Sequence, residues 1–178
     1  GLVDYIKTDV DGIFNDPDIR HIVSVCDVDT VKVYTPITGY HKKRYVVAEC
    51  RARNPRIPFN QYLHPKNFQI MVQTRFKDSE NRKLVLKLAG NIKGEQSMQT
   101  ADDGVSQKVT VKKGVATAAD IIVTNPVELT PLRTFYEVEQ PSSPFVLRFS
   151  ERAEVALFEG DGGAWKLKAV DNIRRWLS

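Results

Sequence analysis

Residues 133–170 constrain the fold of this chain more than any other stretch. They run Arg-Thr-Phe-Tyr-Glu-Val-Glu, a turn at Pro141-Ser-Ser-Pro144, and then Phe-Val-Leu-Arg-Phe to position 149. After a short break come Ala-Glu-Val-Ala-Leu-Phe to position 158, the turn Gly160-Asp-Gly-Gly163, and Ala-Trp-Lys-Leu-Lys-Ala-Val to position 170. Apolar and polar residues alternate along each segment, which places successive side chains on opposite faces of a strand. Turn-forming residues fall where a meander of antiparallel strands needs them. The stretch predicts a β-rich scaffold and contains no catalytic constellation.

The remainder extends that pattern. Residues 22–26, 31–34 and 45–50 are dense in β-branched side chains and read as strands. Residues 68–76 and 83–88 read as a hairpin about the polar turn 78–81, and 109–111 and 121–123 as two shorter strands. Leu2, Val3, Ile6, Val10, Ile13 and Phe14 follow helical spacing, which predicts a short N-terminal helix ending near Gly12. Asp16-Pro17 offers a cap and a first helical position for another turn, and Asp171 offers a cap for a final one. Residues 54–67, with three prolines, read as an extended loop, and 90–106 as a long mobile surface loop. The expected class is mainly β with minor α: one domain over 1–178 of antiparallel strands, as a sandwich, open barrel or curved sheet, with a short N-terminal helix and an acidic, partly helical leader over 1–20.

Composition narrows the function classes. At 178 residues, 42% hydrophobic and 27% charged, the chain is long enough to bury roughly two-thirds of its unfolded surface. No apolar run approaches the roughly 20 residues of a transmembrane helix, and no signal peptide is expected at the start. Cys26 and Cys50 are too few for a disulfide framework and lie in apolar runs, so buried free thiols and a reducing, intracellular compartment are expected. Net charge is +4, but residues 1–29 hold seven Asp against Lys7 and Arg20, leaving the rest at +9. A basic body suits an anionic partner such as nucleic acid or an acidic membrane, and an acidic leader also suits docking within an assembly.

The densest functional candidate is Tyr40-His-Lys-Lys-Arg-Tyr45 with the basic residues beyond it. Lys42, Lys43, Arg44, Arg51, Arg53 and Arg56 would neutralise phosphates while the tyrosines pack beside bases or sugars. The plainer reading is a solvated turn whose cations protect a sheet edge. Lys108, Lys112, Lys113, Arg174 and Arg175 form a second basic set that either widens this surface or stands as separate solvated charges. Phe59, Tyr62 and Leu63, between prolines, are candidates for self-association or for capping the edge of the core.

Other motifs argue against chemistry. Asp9-Val-Asp-Gly12 lacks the ligand order of a calcium loop, and the three histidines show no zinc spacing. Gly160–Gly163 reads as a hairpin turn because a phosphate loop needs a helix after it. No nucleophile or dinucleotide motif occurs, so no enzyme activity, metal or cofactor is expected.

Phe149-Ser-Glu-Arg-Ala153 and Gly163-Ala-Trp-Lys-Leu167 resemble the end of rhabdovirus matrix proteins of the vesicular stomatitis type, and Pro58-Phe-Asn60 is similar to another of their segments. The likeness covers only these short segments. It implies a small, basic, non-enzymatic viral protein that self-associates, coats a nucleocapsid and touches acidic membrane. The closing Gly-Gly-Ala-Trp-Lys-Leu is similar to the last strand of the nuclear-transport-factor-like cone fold. That likeness implies the alternative: a small-molecule-binding or catalytic β-cone with an internal pocket.

Overall fold

The computed structural model describes residues 1–16, 18–37, 39–92, 97–102, 106–113 and 116–178. In chain order the elements are α1 (Leu2–Thr8), β1 (Ile22–Asp27), β2 (Thr30–Tyr34), β3 (Val46–Arg51), α2 (Pro65–Arg75), α3 (Glu80–Gly90), β4 (Ser97–Asp102), β5 (Ser106–Lys113), β6 (Ala116–Thr124), β7 (Val127–Leu129), β8 (Ser143–Phe149), β9 (Val155–Glu159) and α4 (Trp165–Leu177). The strands form three antiparallel sheets, β1-β2-β3, β4-β5-β6 and β7-β8-β9. Helix and strand content are roughly equal among the described residues, the N-terminal helix is present, and no sheet among the described residues closes into a barrel. Where the sequence predicts one domain, contacts divide the chain into two compact units.

Unit 2 comprises Pro55–Leu132 and Pro141–Trp165. Its core is one apolar cluster to which α2 gives Phe68, Met71 and Val72, α3 gives Val85 and Ala89, and β8 gives Phe145, Leu147 and Phe149. Along β8 buried residues alternate with half-buried ones, the period-two signal expected of a strand with one covered face. Phe145 is stacked on Phe59 at 5.2 Å between ring centroids and meets Phe76 edge-on at 6.2 Å.

Beyond β7's short pairing, the edge of β8 is completed by side chains. The buried Asn125 amide accepts from Leu147 N at 2.7 Å and donates to Leu147 O at 3.1 Å. Gln107 does the same for Phe149, at 3.0 and 3.1 Å. Each amide satisfies both backbone groups of one residue, as a neighbouring strand would.

Four expectations are corrected here. Residues 68–76 and 83–88 are helices, not a β-hairpin. Pro65 occupies the first turn of α2 behind His64, whose Nδ1 accepts from Lys66 N, and the Ser79 hydroxyl caps α3 by accepting from Arg82 N at 3.0 Å. Phe68, Met71 and Val72 lie at i, i+3 and i+4, one buried helical face, and the buried Phe76 follows where the backbone turns extended. Residues 165–170 belong to α4 rather than a strand, residue 164 lies in the turn before it, and Asp171 lies inside that helix. Within 90–106, residues 97–102 form β4, paired with β5, so this is not one loop; residues 93–96 and 103–105 lie outside the described residues.

Unit 1 comprises Gly1–Asn54, Arg133–Gln140 and Lys166–Ser178. Its buried cluster is small: Val31, Val138 and Ile173, with Leu2, Val25, Phe135 and Leu177 packed against it. Residues 133–139, expected as a strand, are irregular and organised by Gln140 instead. The Gln140 carbonyl oxygen accepts from Arg133 N and Thr134 N at 3.0 and 3.2 Å, and its amide donates to Phe135 O and Val138 O at 2.7 and 3.2 Å. Thr134 donates to Val28 O at 2.5 Å, Asn54 to Thr134 O at 2.9 Å and Asn172 to Glu139 O at 2.8 Å, tying the segment to the turn after β1, to the exit of β3 and to α4.

Candidate functional site

The basic hairpin lies between β2 and β3. Beyond the ladder Thr35 N donates to Tyr45 O at 2.9 Å, Tyr45 N to Thr35 Oγ1 at 3.0 Å, and the Arg44 guanidinium to Thr35 O at 3.1 Å. The tip turns between Gly39 (φ 72°) and Lys42 (φ 48°), closed by Lys42 N donating to Gly39 O at 3.2 Å. A lysine in the left-handed region costs about 1–2 kcal/mol relative to glycine, so this turn presents a cation where a cheaper residue would serve.

Lys42, Lys43 and Arg44 are all exposed. Tyr40 stands 97% exposed and Tyr45 61% exposed, with His41 edge-on to Tyr40 at 5.6 Å. No acidic residue occurs between Asp29 and Glu49 in the sequence. Cations and aromatic faces thus share one projecting loop.

Arg51 and Arg53, in the same unit, do not join it. Arg51 closes β3 at the opposite end, and five steps of about 3.3 Å separate the two ends of the strand by roughly 17 Å. Arg51 Nε is also engaged by the Glu49 carboxylate, which meets Lys32 Nζ at 3.2 Å. The hydrogen bond from Arg51 and then that from Lys32 hold the Glu49 carboxyl below its ordinary range. Arg53 is exposed beyond β3, and Arg56 is an exposed residue of unit 2 whose carbonyl receives the Arg75 guanidinium.

In the second basic set, Lys108 is exposed on β5, while the side chains of Lys112 and Lys113 lie outside the described residues. Arg174 pairs with Asp171 at 3.1 Å and Arg175 donates to Asn172 Oδ1. Lys166, Lys168, Arg174 and Arg175 are exposed along α4, beside the exposed Leu167.

The apolar loop is largely occupied within unit 2. Phe59 stacks on Phe145, and Leu63 exchanges two backbone hydrogen bonds with Val155 at 2.9 and 2.8 Å while packing on the core. Of the three, only Tyr62 is exposed, its ring 6.1 Å from that of Phe158.

The Gly160–Gly163 turn leads into helix α4, contrary to the sequence reading. Asp161 fills the position an anion would take, its carboxylate accepting from Gly163 N at 2.9 Å and Trp165 N at 3.0 Å. The helix N-terminus is capped from within. Asp9 behaves likewise: its carboxylate accepts from Ile13 N, Phe14 N and Asn15 N at 2.6, 2.8 and 2.8 Å. The bond from Phe14 is the main reason its carboxyl sits below the ordinary value.

Among the described residues no group of three or more His, Cys, Asp and Glu converges on a metal position, and no helix is long and apolar enough to cross a membrane. Both cysteines are free, and Cys26, expected to be buried, is exposed because β1 is an edge strand; Cys50 is half-buried. Sequence reasoning missed a cavity of about 250 Å³ in unit 1, lined by Leu2, Val31, Phe135, Ile173 and Leu177 with Cys50 in its wall. Its one advance signal was the helical spacing of Leu2 and its neighbours.

In comparisons with known proteins, no family model, no curated protein and no solved structure matches the chain.

Proposed function

We propose that this chain is a non-enzymatic assembly protein that acts in a reducing, intracellular setting, self-associates, and meets nucleic acid through the tip of the β2–β3 hairpin. A matrix- or capsid-like viral role, which the resemblance of its C-terminal segments implies, is the form of assembly this reading favours. The observation that carries it is the projecting loop in which Lys42, Lys43 and Arg44 stand exposed between Tyr40 and Tyr45 with no acidic neighbour in sequence. Three cations supply sequence-independent phosphate neutralisation, and two open aromatic faces supply base stacking worth about 1–3 kcal/mol per base. Nucleic acid is favoured over acidic lipid because the rings stand beside the cations and offer planar faces.

The test is binding of a single-stranded RNA oligonucleotide across a salt series. Replacing Lys42, Lys43 and Arg44 together by Ala should weaken binding and flatten the log–log salt dependence by about 2, since each neutralised phosphate contributes about 0.7 on single strands. An unchanged slope removes the hairpin from the reading. Retention on anionic vesicles, with no RNA binding, moves the partner to a membrane surface.

A further inference from the structure

We propose that β1 is the edge through which two copies of this chain pair, antiparallel, to extend the three-stranded sheet of unit 1 into six strands. The inference deepens the self-association in the function proposed above and rests on that reading.

The order β1-β2-β3 leaves one side of β1 open, and no backbone hydrogen bond of the described residues leaves that side. Natural edge strands are guarded by Lys, Pro or inward charges. The sequence of β1, Ile-Val-Ser-Val-Cys-Asp, has no Lys, Arg or Pro, and its only charge is the terminal Asp27. The opposite edge, β3, carries Glu49 and Arg51 within the strand and leaves the basic hairpin at its start. The two edges of one sheet thus differ in charge: β3 carries it within the strand, and β1 only at its end, beside the irregularity between Val25 and Asp27.

A second copy fits this edge because the strip complements itself. Val23 and Val25 stand opposite Val33 and Val31 of β2, so all four point to one face. An antiparallel pair centred on Ser24 keeps that face common to both copies. It sets Val23 opposite Val25 of the partner subunit and continues the valine row across the joint. Val23 is 43% exposed and Ile22 42%, apolar surface that such pairing covers.

Charge selects the direction. Arg20 and His21 precede the strand, and Asp27 and Asp29 follow it. Antiparallel pairing brings Arg20 and His21 of one copy beside the partner's Asp27, whereas parallel pairing sets Asp27 and Asp29 of the two copies together. The irregularity between Val25 and Asp27 ends the regular edge there. The contact is short, and the dimer is accordingly one that dissociates on dilution.

Sedimentation of the full chain over a wide concentration range should show a monomer–dimer equilibrium. A bismaleimide cross-linker should convert the unsubstituted chain to a covalent dimer through Cys26, and Cys26→Ser should abolish that product. Val23→Lys puts a cation from each copy into the shared valine row, diagonal to each other across the joint, and should weaken dimerisation at least about tenfold. Val23→Thr, neutral and still β-branched, should dimerise, and Leu167→Lys on α4 should leave the equilibrium unchanged.

A monomer at every concentration overturns the proposal, as does a dimer that survives Val23→Lys, or one that Leu167→Lys weakens equally. The triple Ala variant of Lys42, Lys43 and Arg44 separates the two readings. Dimerisation with lost RNA binding supports both, whereas loss of dimerisation places self-association in the hairpin and overturns the edge. RNA binding by a chain that stays monomeric sinks the edge and leaves the hairpin reading standing.

Discussion

The two units are held together differently. Unit 2 has sixteen described residues in one buried apolar cluster, whereas unit 1 has three. The exposed large apolar side chains fall the other way. Of sixteen among the described residues, twelve belong to unit 1, among them Ile22, Val23, Tyr40, Tyr45, Val46 and Trp176. Unit 2 hides its apolar surface and unit 1 displays it. A unit with so small a core is stabilised by hydrogen bonding through Gln140, Thr134, Asn54 and Asn172, and gains further stability when a partner covers its apolar surface. That contrast locates both proposed interactions, hairpin tip and open edge, in unit 1.

The largest expected effect tests the unit 2 side of the contrast. Phe145 is fully buried between Phe59 and Phe76, so Phe145→Ala removes a ring from a packed cluster. The cost should be about 3–5 kcal/mol, read as a drop in the denaturant midpoint by circular dichroism. A cost below about 1 kcal/mol would mean that the cluster collapses freely and that unit 2 is not the tightly packed member of the pair.

The same contrast explains which elements were legible in advance. Strands β1, β2, β3, β8 and β9 were read from alternation, because each has one face more covered than the other or a run of β-branched residues. Three helices were misread for one physical reason. Ile70 in α2, Leu84 in α3 and Leu167 in α4 are apolar yet 50%, 49% and 75% exposed. Each completes a false alternation, as in Phe68-Ile70-Val72, Leu84-Leu86-Leu88 and Trp165-Leu167-Ala169, and the true faces at i, i+3 and i+4 were overlooked beneath it. The caps that decide the matter, Pro65 at a first turn, Ser79, and Asp161 before α4, were present in the sequence and read as turns. The hairpin was legible because its charges and tyrosines are contiguous. The separation of Arg51 and Arg53 from its tip follows from the extended strand already read over residues 45–50. The amide clamps of Gln107, Asn125 and Gln140 left no local signal at all, since a polar residue in a loop-like run gives no sign that it will be buried against distant backbone.

Those clamps give the next test, one from each unit. Asn125→Ala leaves the N–H and C=O of Leu147 buried without partners, and Gln140→Ala removes the acceptor of Arg133 N and Thr134 N and a donor to Phe135 O and Val138 O. Each substitution should cost about 1–3 kcal/mol. The distribution of the loss should differ. In unit 2 the apolar cluster keeps β8 in place, and hydrogen exchange should quicken mainly at Leu147. In unit 1 exchange should quicken across residues 133–140 and at the amides of the small sheet. Equal, strictly local responses would break the comparison, because they would show unit 1 to be as independently packed as unit 2.

The smallest effect concerns the acidic leader of unit 1. The Asp9 carboxylate is held below its ordinary value, first by the bond from Phe14 N and also by those from Asn15 and Ile13. A carboxyl whose folded value is depressed contributes order that is complete above its unfolded value, near 3.9, and is lost as pH falls through the folded value. The pH window therefore lies below about 4, where protonation replaces an acceptor of three backbone donors by a weaker one. Amide signals of Ile13, Phe14 and Asn15 should titrate together there, while signals from the unit 2 core stay fixed until global unfolding. Asp9→Asn keeps one acceptor oxygen and removes the charge, so it should abolish the titration and leave those three amides exchanging faster at neutral pH. If the three titrate with the core instead, the leader is not a separate local structure in unit 1, and its order depends on the large apolar cluster after all.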